Sequence, residues 1–247
     1  ERERIARADT SLRRSLKLSE ERFRAAVSTT LVCSGTQHAL GLEGAPVQYL
    51  ARTGAGHTPR RSNEAYWTDC YIPWVTTADV NRLRRGELEV LYDTERKVSG
   101  AGIANSSARL HPKGTVFLSR TASVGFSGIM GSDMATSQDF FTWTCGGSLE
   151  PRFLLWSLRV MRWTGVFDRL MYGTTHKTIY VPDLMSLRIP VPDHEAQVRC
   201  AQLAGEMNES RQAFEKKVNM ELELLREREQ ALITAAVTGQ IDIREAA

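Results

Sequence analysis

The sequence predicts an α+β fold: a β-rich globular middle flanked by two long helices that pair with each other. Three observations predict it. Proline is absent before Pro46 and after Pro192, and apolar residues recur there at helical spacing. Residues 47–192 switch to short runs of β-branched and aromatic residues broken by Gly and Pro. The 247 residues, 42% hydrophobic and 25% charged, suffice to bury a core. That composition excludes wholesale disorder, collagen-like repeats and a disulfide mini-scaffold.

The N-terminal segment, 1–46, reads as a helix and a linker. Ile5, Ala8, Leu12, Leu16, Phe23, Ala26 and Val27 mark one face, with Arg and Glu elsewhere. In the middle, Tyr71-Ile72-Pro73-Trp74-Val75, Thr115-Val116-Phe117-Leu118 and Phe140-Phe141-Thr142-Trp143-Thr144 read as strands bounded by turn residues. Residues 153–161 read as a short buried helix. Leu187-Arg188-Ile189-Pro190-Val191-Pro192 reads as a final edge strand, because Pro cannot donate in a ladder. The last segment, 193–247, is a long helix over about 195–237 and a tail. Leu203, Met207, Phe214, Val218, Leu222, Leu225, Leu232 and Ala236 form its stripe, with Ser210 and Glu229 filling the gaps. Thr238-Gly239 offers a cap. A helix of that length runs about 60 Å and requires a partner.

A faint repeat links the ends. Phe23-Arg24-Ala25-Ala26-Val27-Ser28 parallels Ile233-Thr234-Ala235-Ala236-Val237-Thr238 at a constant offset, and Leu12 then falls on Leu222. Either the architecture is duplicated or two unrelated amphipathic helices coincide.

Charge is uneven. The overall net is +3. Residues 47–192 carry 17 Lys+Arg against 12 Asp+Glu, the first 46 residues 8 against 6, and the last 55 residues 7 against 11. A mildly basic middle suits a phosphate-backbone partner, and oppositely charged ends favour packing together.

No apolar run approaches the roughly 18–20 residues of a membrane span, and no basic-then-apolar leader is visible. A cytoplasmic protein with no membrane partner is expected. The chain opens on Glu1, so its natural start is expected upstream. Cys33, Cys70, Cys145 and Cys200 lie far apart and the five histidines are scattered, so no zinc site and no other metal is expected. Reduced, mostly buried thiols are the expectation. No Gly-x-x-x-x-Gly-Lys-Ser/Thr loop or Gly-x-Ser-x-Gly elbow is present. Gly54-Ala55-Gly56 is a fragment of a dinucleotide fingerprint, with Pro59 where a helix should open. Asp69, Asp79, Glu87 and Glu89 read as solvated carboxylates rather than a nuclease centre. No catalytic residue and no cofactor is assigned.

Five stretches, in order, carry a family likeness. Arg52-Thr53-Gly54-Ala55-Gly56-His57-Thr58-Pro59-Arg60-Arg61 is followed by Tyr66-Trp67 and Ile72-Pro73-Trp74-Val75-Thr76-Thr77-Ala78-Asp79. Val116-Phe117-Leu118-Ser119-Arg120-Thr121-Ala122-Ser123-Val124-Gly125 continues to Met134-Ala135-Thr136-Ser137-Gln138, with Ser137 where the family carries Asn. Then come Gly173-Thr174-Thr175-His176-Lys177-Thr178-Ile179 and Ile189-Pro190-Val191-Pro192, the latter leading to Glu195-Ala196-Gln197 where the family has Glu-Gln. The last includes Gln230-Ala231-Leu232-Ile233 and Ala235-Ala236-Val237-Thr238-Gly239-Gln240-Ile241. Together they resemble the specificity subunit of type I restriction–modification systems over about 47–243, and residues 1–46 match the tail of its first spacer helix more loosely.

The resemblance implies a target recognition domain at 47–192 and an antiparallel two-helix coiled coil of spacer helices. It implies a non-catalytic subunit that reads one half of a bipartite site in double-stranded DNA. Such a subunit holds methyltransferase subunits and, through them, the restriction subunit. The paired helices then act as a ruler between half-sites. A full subunit carries two recognition domains, so this chain is either the C-terminal half or a half-length form that pairs with itself.

Within that frame the candidate DNA contacts are donors on loops: Thr58, Arg60 and Arg61; Arg120, Thr121 and Ser123; Thr175, His176 and Lys177. Each could hold a phosphate or read a base edge. Trp67, Trp74 and Trp143 are expected to fill the core. Helix pairing is assigned to Leu12, Leu16, Phe23, Met207, Phe214, Val218, Leu222, Leu225 and Leu232. Two rival readings stand beside this one: a scaffold that docks partners without reading a site, and the recognition region of a fused restriction–methylation enzyme.

Overall fold

The computed structural model describes residues 1–32, 44–84, 86 and 88–240. Cys33, Glu87, residues 33–43 of the expected linker and the Ile241 end of the last motif lie outside the described residues.

In chain order the elements are α1 (Arg2–Val32), β1 (Ala45–Pro46), β2 (Ala51–Ala55), β3 (Ile72–Val75), α2 (Val80–Leu83), β4 (Val90–Leu91), β5 (Lys97–Val98), α3 (Gly100–Ala104), β6 (Val116–Ser119), β7 (Ser127–Met130), β8 (Ala135–Thr136), β9 (Phe140–Cys145), α4 (Pro151–Trp163), α5 (Val166–Leu170), α6 (Val181–Met185), β10 (Arg188–Ile189) and α7 (His194–Val237). The fold is α+β, with long N- and C-terminal helices as the periodicity predicts. The chain forms two compact units. One comprises Glu1–Ala26 and Glu206–Ala247; the other is Val27–Gly205.

In the larger unit, a five-stranded sheet runs in the order β2-β9-β6-β7-β4, antiparallel except for the β4–β7 pair. The inner strand β6 is buried at all four positions, as a strand covered on both faces must be. Glu150 caps α4 by accepting from the Arg152 amide at 3.4 Å, and Pro151 pre-sets the first turn. Residues 153–161 of α4 are all buried, so this helix is apolar nearly all round. It packs on β6 and β7.

A three-stranded sheet, β5-β3-β8, supports the rest. Ile72, Trp74, Val98 and Ala135 form its core, with Trp67 and Ile103 packed against them. Trp74 and Trp143 are buried, while Trp67 is only half-buried. The expected edge strand over residues 187–192 shrinks to the two residues of β10, which pair with β1. The prolines at 190 and 192 remove the donors that would extend it.

Asp79 and Glu89, expected to be solvated carboxylates, are instead held within the fold, where each has a structural duty. The buried Asp79 carboxylate accepts from the Thr76 amide at 2.9 Å, the Thr76 hydroxyl at 3.3 Å and the Glu95 amide at 3.0 Å. Glu89 pairs with Arg152 at 2.7 Å. His111 is buried, with Nδ1 3.5 Å from the Thr142 hydroxyl. Burial, reinforced by Arg52 and Arg109, drops its pKa to about 4. Cys70, Cys145 and Cys200 are free thiols, but only Cys200 is buried. The expectation of mostly buried thiols therefore fails for the other two described cysteines, which lie on partly open strand and loop positions. Although Cys145 is only half-buried, loss of solvent around its sulfur pushes the thiol up to about 12, with Glu150 adding to the shift.

In the smaller unit the two chain segments pack antiparallel. Glu1 and Arg2 meet Arg228 and Glu229, while Glu20 and Phe23 meet Arg211. On the α1 side the seam includes buried Ile5 and Phe23, with Leu12 and Leu16 half-buried. On α7 it includes Asn208, Arg211, Val218 and Leu222, all buried, with Glu215, Leu225, Glu229 and Leu232 half-buried. The spacing alternates three and four, the coiled-coil pattern. Phe214, assigned to pairing from the sequence, is instead 39% exposed, and Met207 is only half-buried. The apolar stripe misplaced the upper part of the seam because polar residues occupy it. Arg211 bonds Glu20 at 3.2 Å, Glu215 at 2.6 Å and Asn208 at 2.9 Å, and its guanidinium lies 4.9 Å from the Phe23 ring centroid.

Candidate nucleic-acid interface

Three loops of the larger unit converge. The first leaves β2 at Ala55. A Cβ on Gly56 would lie 2.1 Å from the Ser137 carbonyl oxygen and 2.3 Å from that of Thr136, so only glycine allows this approach. The His57 amide then donates to the Thr136 carbonyl at 3.0 Å, and the Thr58 hydroxyl donates to the Gln138 side-chain oxygen. Arg60 bonds the Ser62 hydroxyl at 3.1 Å, and its carbonyl accepts from the Trp67 indole at 3.3 Å.

The second loop joins β6 to β7. Ser119 and Phe126 close it through the Ser119 amide at 2.8 Å. Ala122 sits in the left-handed region at φ 60°, and Ser123 accepts from Arg84 at 3.0 Å. The third is a hairpin in which Tyr172 and Thr178 exchange two backbone hydrogen bonds of 2.9 Å. Between them, residues 173–177 are all exposed, and Gly173 turns the chain at φ 93°. Tyr172 and Tyr180 flank the hairpin with ring centroids 5.2 Å apart.

Arg120 binds the three together. Its amide donates to the Asp139 carbonyl at 2.8 Å and its carbonyl accepts from the Ile179 amide at 2.9 Å. Its guanidinium reaches the Gln138 carbonyl at 3.0 Å and the Ile179 carbonyl at 3.4 Å. The Ala122 amide donates to the Lys177 carbonyl at 2.9 Å, and the Thr178 hydroxyl lies 3.5 Å from that of Thr121. Ser137, where the family carries Asn, donates to the Asp139 carboxylate at 3.1 Å.

The nine candidate contacts therefore divide. Thr58, Arg120, Thr121 and Ser123 spend their side chains holding the loops together, and Arg60 is tied to Ser62. Arg61, Thr175, His176 and Lys177 are exposed, with side chains that make no hydrogen bond or ion pair among the described residues. Chemically, that leaves cationic and hydroxyl donors on a braced surface, suited to phosphate oxygens and base edges. Sequence reasoning missed Gln138, the hub that Thr58 and Arg120 share, and the exposed Tyr172–Tyr180 pair. The Gln was visible at the end of Met134-Ala135-Thr136-Ser137-Gln138, but nothing in one sequence tells that Thr58, 80 residues away, would meet it. Among the described residues, no group of three or more His, Cys, Asp or Glu is placed to hold a metal. No described helix is long and apolar enough to cross a membrane.

Comparison with known proteins adds context to this surface. A family model described as the type I restriction modification DNA specificity domain matches residues 50–224. The type I restriction enzyme MjaIX specificity subunit of Methanocaldococcus jannaschii is 24% identical over 157 residues, which are 63% of this chain and 35% of that protein. A chain from a structure concerning complex assembly and conformational transition of the type I R-M system superposes with a TM-score of 0.73 at 20% identity, covering 95% of this chain and 55% of that one. The HsdS subunit from Thermoanaerobacter tengcongensis gives a TM-score of 0.61 at 18% identity, with 97% and 55% covered. The chain thus spans about a third to a half of the length of these relatives.

Proposed function

From the premise that this chain belongs to the type I restriction modification DNA specificity family, we propose that it is a DNA-recognition component of a type I restriction–modification complex. In this reading the larger unit reads one half of a bipartite site in double-stranded DNA. It performs no chemistry itself and works in the cytoplasm; methyltransferase subunits, which it holds, act on the DNA, and the restriction subunit joins through them. The observation that carries the reading is the Arg120 joint. The loops bearing Arg61 and bearing Thr175, His176 and Lys177 are fixed to each other through the β6–β7 loop, so the donors are pre-positioned before DNA arrives. Rigid placement of loop donors is what specific readout requires, because a misplaced bidentate contact loses its discrimination.

The helical unit supplies the surface for partners. Leu18, Phe214, Met220 and Leu224 stay exposed on it, and Ala8, Leu12, Leu224 and Leu225, together with Ser11, Glu221 and Arg228, line a mainly apolar groove of about 440 Å³. Surface of this kind on a helix pair suits further helices of a methyltransferase subunit or of a second copy of this chain.

The test is selection from random duplex DNA, using the chain with its neighbouring methyltransferase subunit at two salt concentrations. A split motif with inverted-repeat halves means one half-site per copy of a dimer. A single half-motif means the chain supplies half of a larger subunit. Salt-sensitive binding without an enriched sequence would identify a scaffold instead and reject the reading.

A further inference from the structure

A second feature of the larger unit lies beside these loops. Arg61, Trp67, Cys70, Trp74, Arg96 and Lys97 line an open groove of about 480 Å³. Strand pairing builds it. The Trp74 amide donates to the Arg96 carbonyl at 3.0 Å, and Pro73 stands opposite Lys97 across the β3–β5 ladder. Trp67 packs on Trp74 with ring centroids 5.3 Å apart, and its indole is anchored to the Arg60 carbonyl. Asp69, at the turn that delivers Cys70, holds a left-handed φ of 51°. Three cations thus share the groove with the half-buried Trp67 ring, backed by the buried Trp74, and no carboxylate is among the residues that line it. Lys97 has a weak surface pair with Asp93 at 3.5 Å. Arg61 and Arg96 are exposed, and their side chains make no hydrogen bond or ion pair among the described residues.

We infer that this groove holds a phosphodiester-linked nucleotide segment of the DNA strand, a contact that positions the protein and carries no sequence information. The chemistry is specific to that class. Guanidinium forks match phosphate oxygens, and the open part of the Trp67 ring can pack against a deoxyribose. The volume suits one nucleotide unit. A free mononucleotide has the same chemistry, but Arg61 belongs at once to the groove and to the 56–61 loop of the proposed reading surface. A strand lying on that loop passes over the groove. The inference rests on the reading above for its partner.

The experiment measures duplex affinity against salt for the full chain and for Arg96→Gln/Lys97→Gln, beside the sequence selection described above. Both side chains are exposed, and thermal melting checks that the variant folds. Each phosphate contact contributes about 0.9 to the slope of log K against log salt. The expected result is a slope lower by roughly 1.8 in the double variant, with the selected sequence unchanged, and a slope restored in part by Arg96→Lys/Lys97→Gln. An unchanged slope overturns the inference, and so does a changed sequence preference. A reduced slope on duplexes that show no enriched sequence upholds the groove and rejects the recognition reading. If no duplex binds, deoxyadenosine monophosphate is titrated against tryptophan fluorescence. Quenching lost in the double variant would assign the groove to a free mononucleotide and overturn the strand contact; no quenching would overturn both.

Discussion

The guanidinium of Arg120 lies 3.0 Å from the main-chain oxygen of Gln138, whose side-chain oxygen in turn accepts from Thr58. Through that one relationship a residue in the β6–β7 turn is coupled to the loop after β2, while Ile179 couples the same arginine to the third loop. Arg120 is a positioning residue. Replacing it with Met should cost about 1.5–3 kcal/mol in urea unfolding, the range for hydrogen bonds to a charged donor. It should also weaken DNA binding by more than the loss of one phosphate contact. Equal affinity in the parent and Arg120→Met chains would show that the loops do not need this joint.

Lys177 projects from the exposed hairpin, and its carbonyl alone is engaged. Lys177→Ala should weaken binding to all duplexes alike and lower the salt slope by about 0.9. A changed preferred sequence, read by repeating the selection, would make Lys177 a base reader instead.

His111 sets a pH dependence. Its folded pKa lies near 4 and its ordinary value is 6.5, because burial first, then Arg52 and Arg109, disfavour the charged ring. The unfolded chain therefore binds the proton more readily. The associated stability is complete above pH 6.5 and is lost as pH falls toward 4, on the order of 3 kcal/mol in all. Unfolding measured between pH 7 and 4 should show this loss, and His111→Gln should flatten that part of the curve.

Arg211 is a buried cation in the helix seam. Removing Glu20 alone strips one partner and should destabilise the helical unit by about 1–3 kcal/mol, less than a fully buried pair because Glu20 is partly exposed. The joint change Arg211→Leu/Glu20→Ala should recover most of that loss. A non-recovering double-mutant cycle would mean the arginine contributes through its stacking on Phe23 rather than through charge.

The seam also separates two neighbours on α7. Leu222→Ala should cost about 2–4 kcal/mol, since Leu222 is buried in the helical unit. Phe214→Ser should lower the melting temperature much less, because the ring lies outside the seam and is 39% exposed. If Phe214→Ser instead abolishes co-purification with a methyltransferase subunit, that face is the docking surface.

The sequence by itself determined the element types. Proline-free helical periodicity gave α1 and α7 almost to their observed limits, and β-branched and aromatic runs gave β3, β6 and β9 within a residue or two at each end. These signals are local, and local propensity and period depend only on neighbours in the chain. Tertiary structure alone decided the rest. It put Asn208, Arg211 and Glu215 into the seam and left Phe214 outside, because a charged side chain can enter a core only when distant partners such as Glu20 and Phe23 satisfy it. It likewise divided the loop donors. Thr58, Arg120, Thr121 and Ser123 look like Arg61 and Lys177 in sequence, and contacts spanning 80, 59, 57 and 39 residues turn the first group into braces. A donor's role depends on what meets it in space, and composition and spacing carry no record of that.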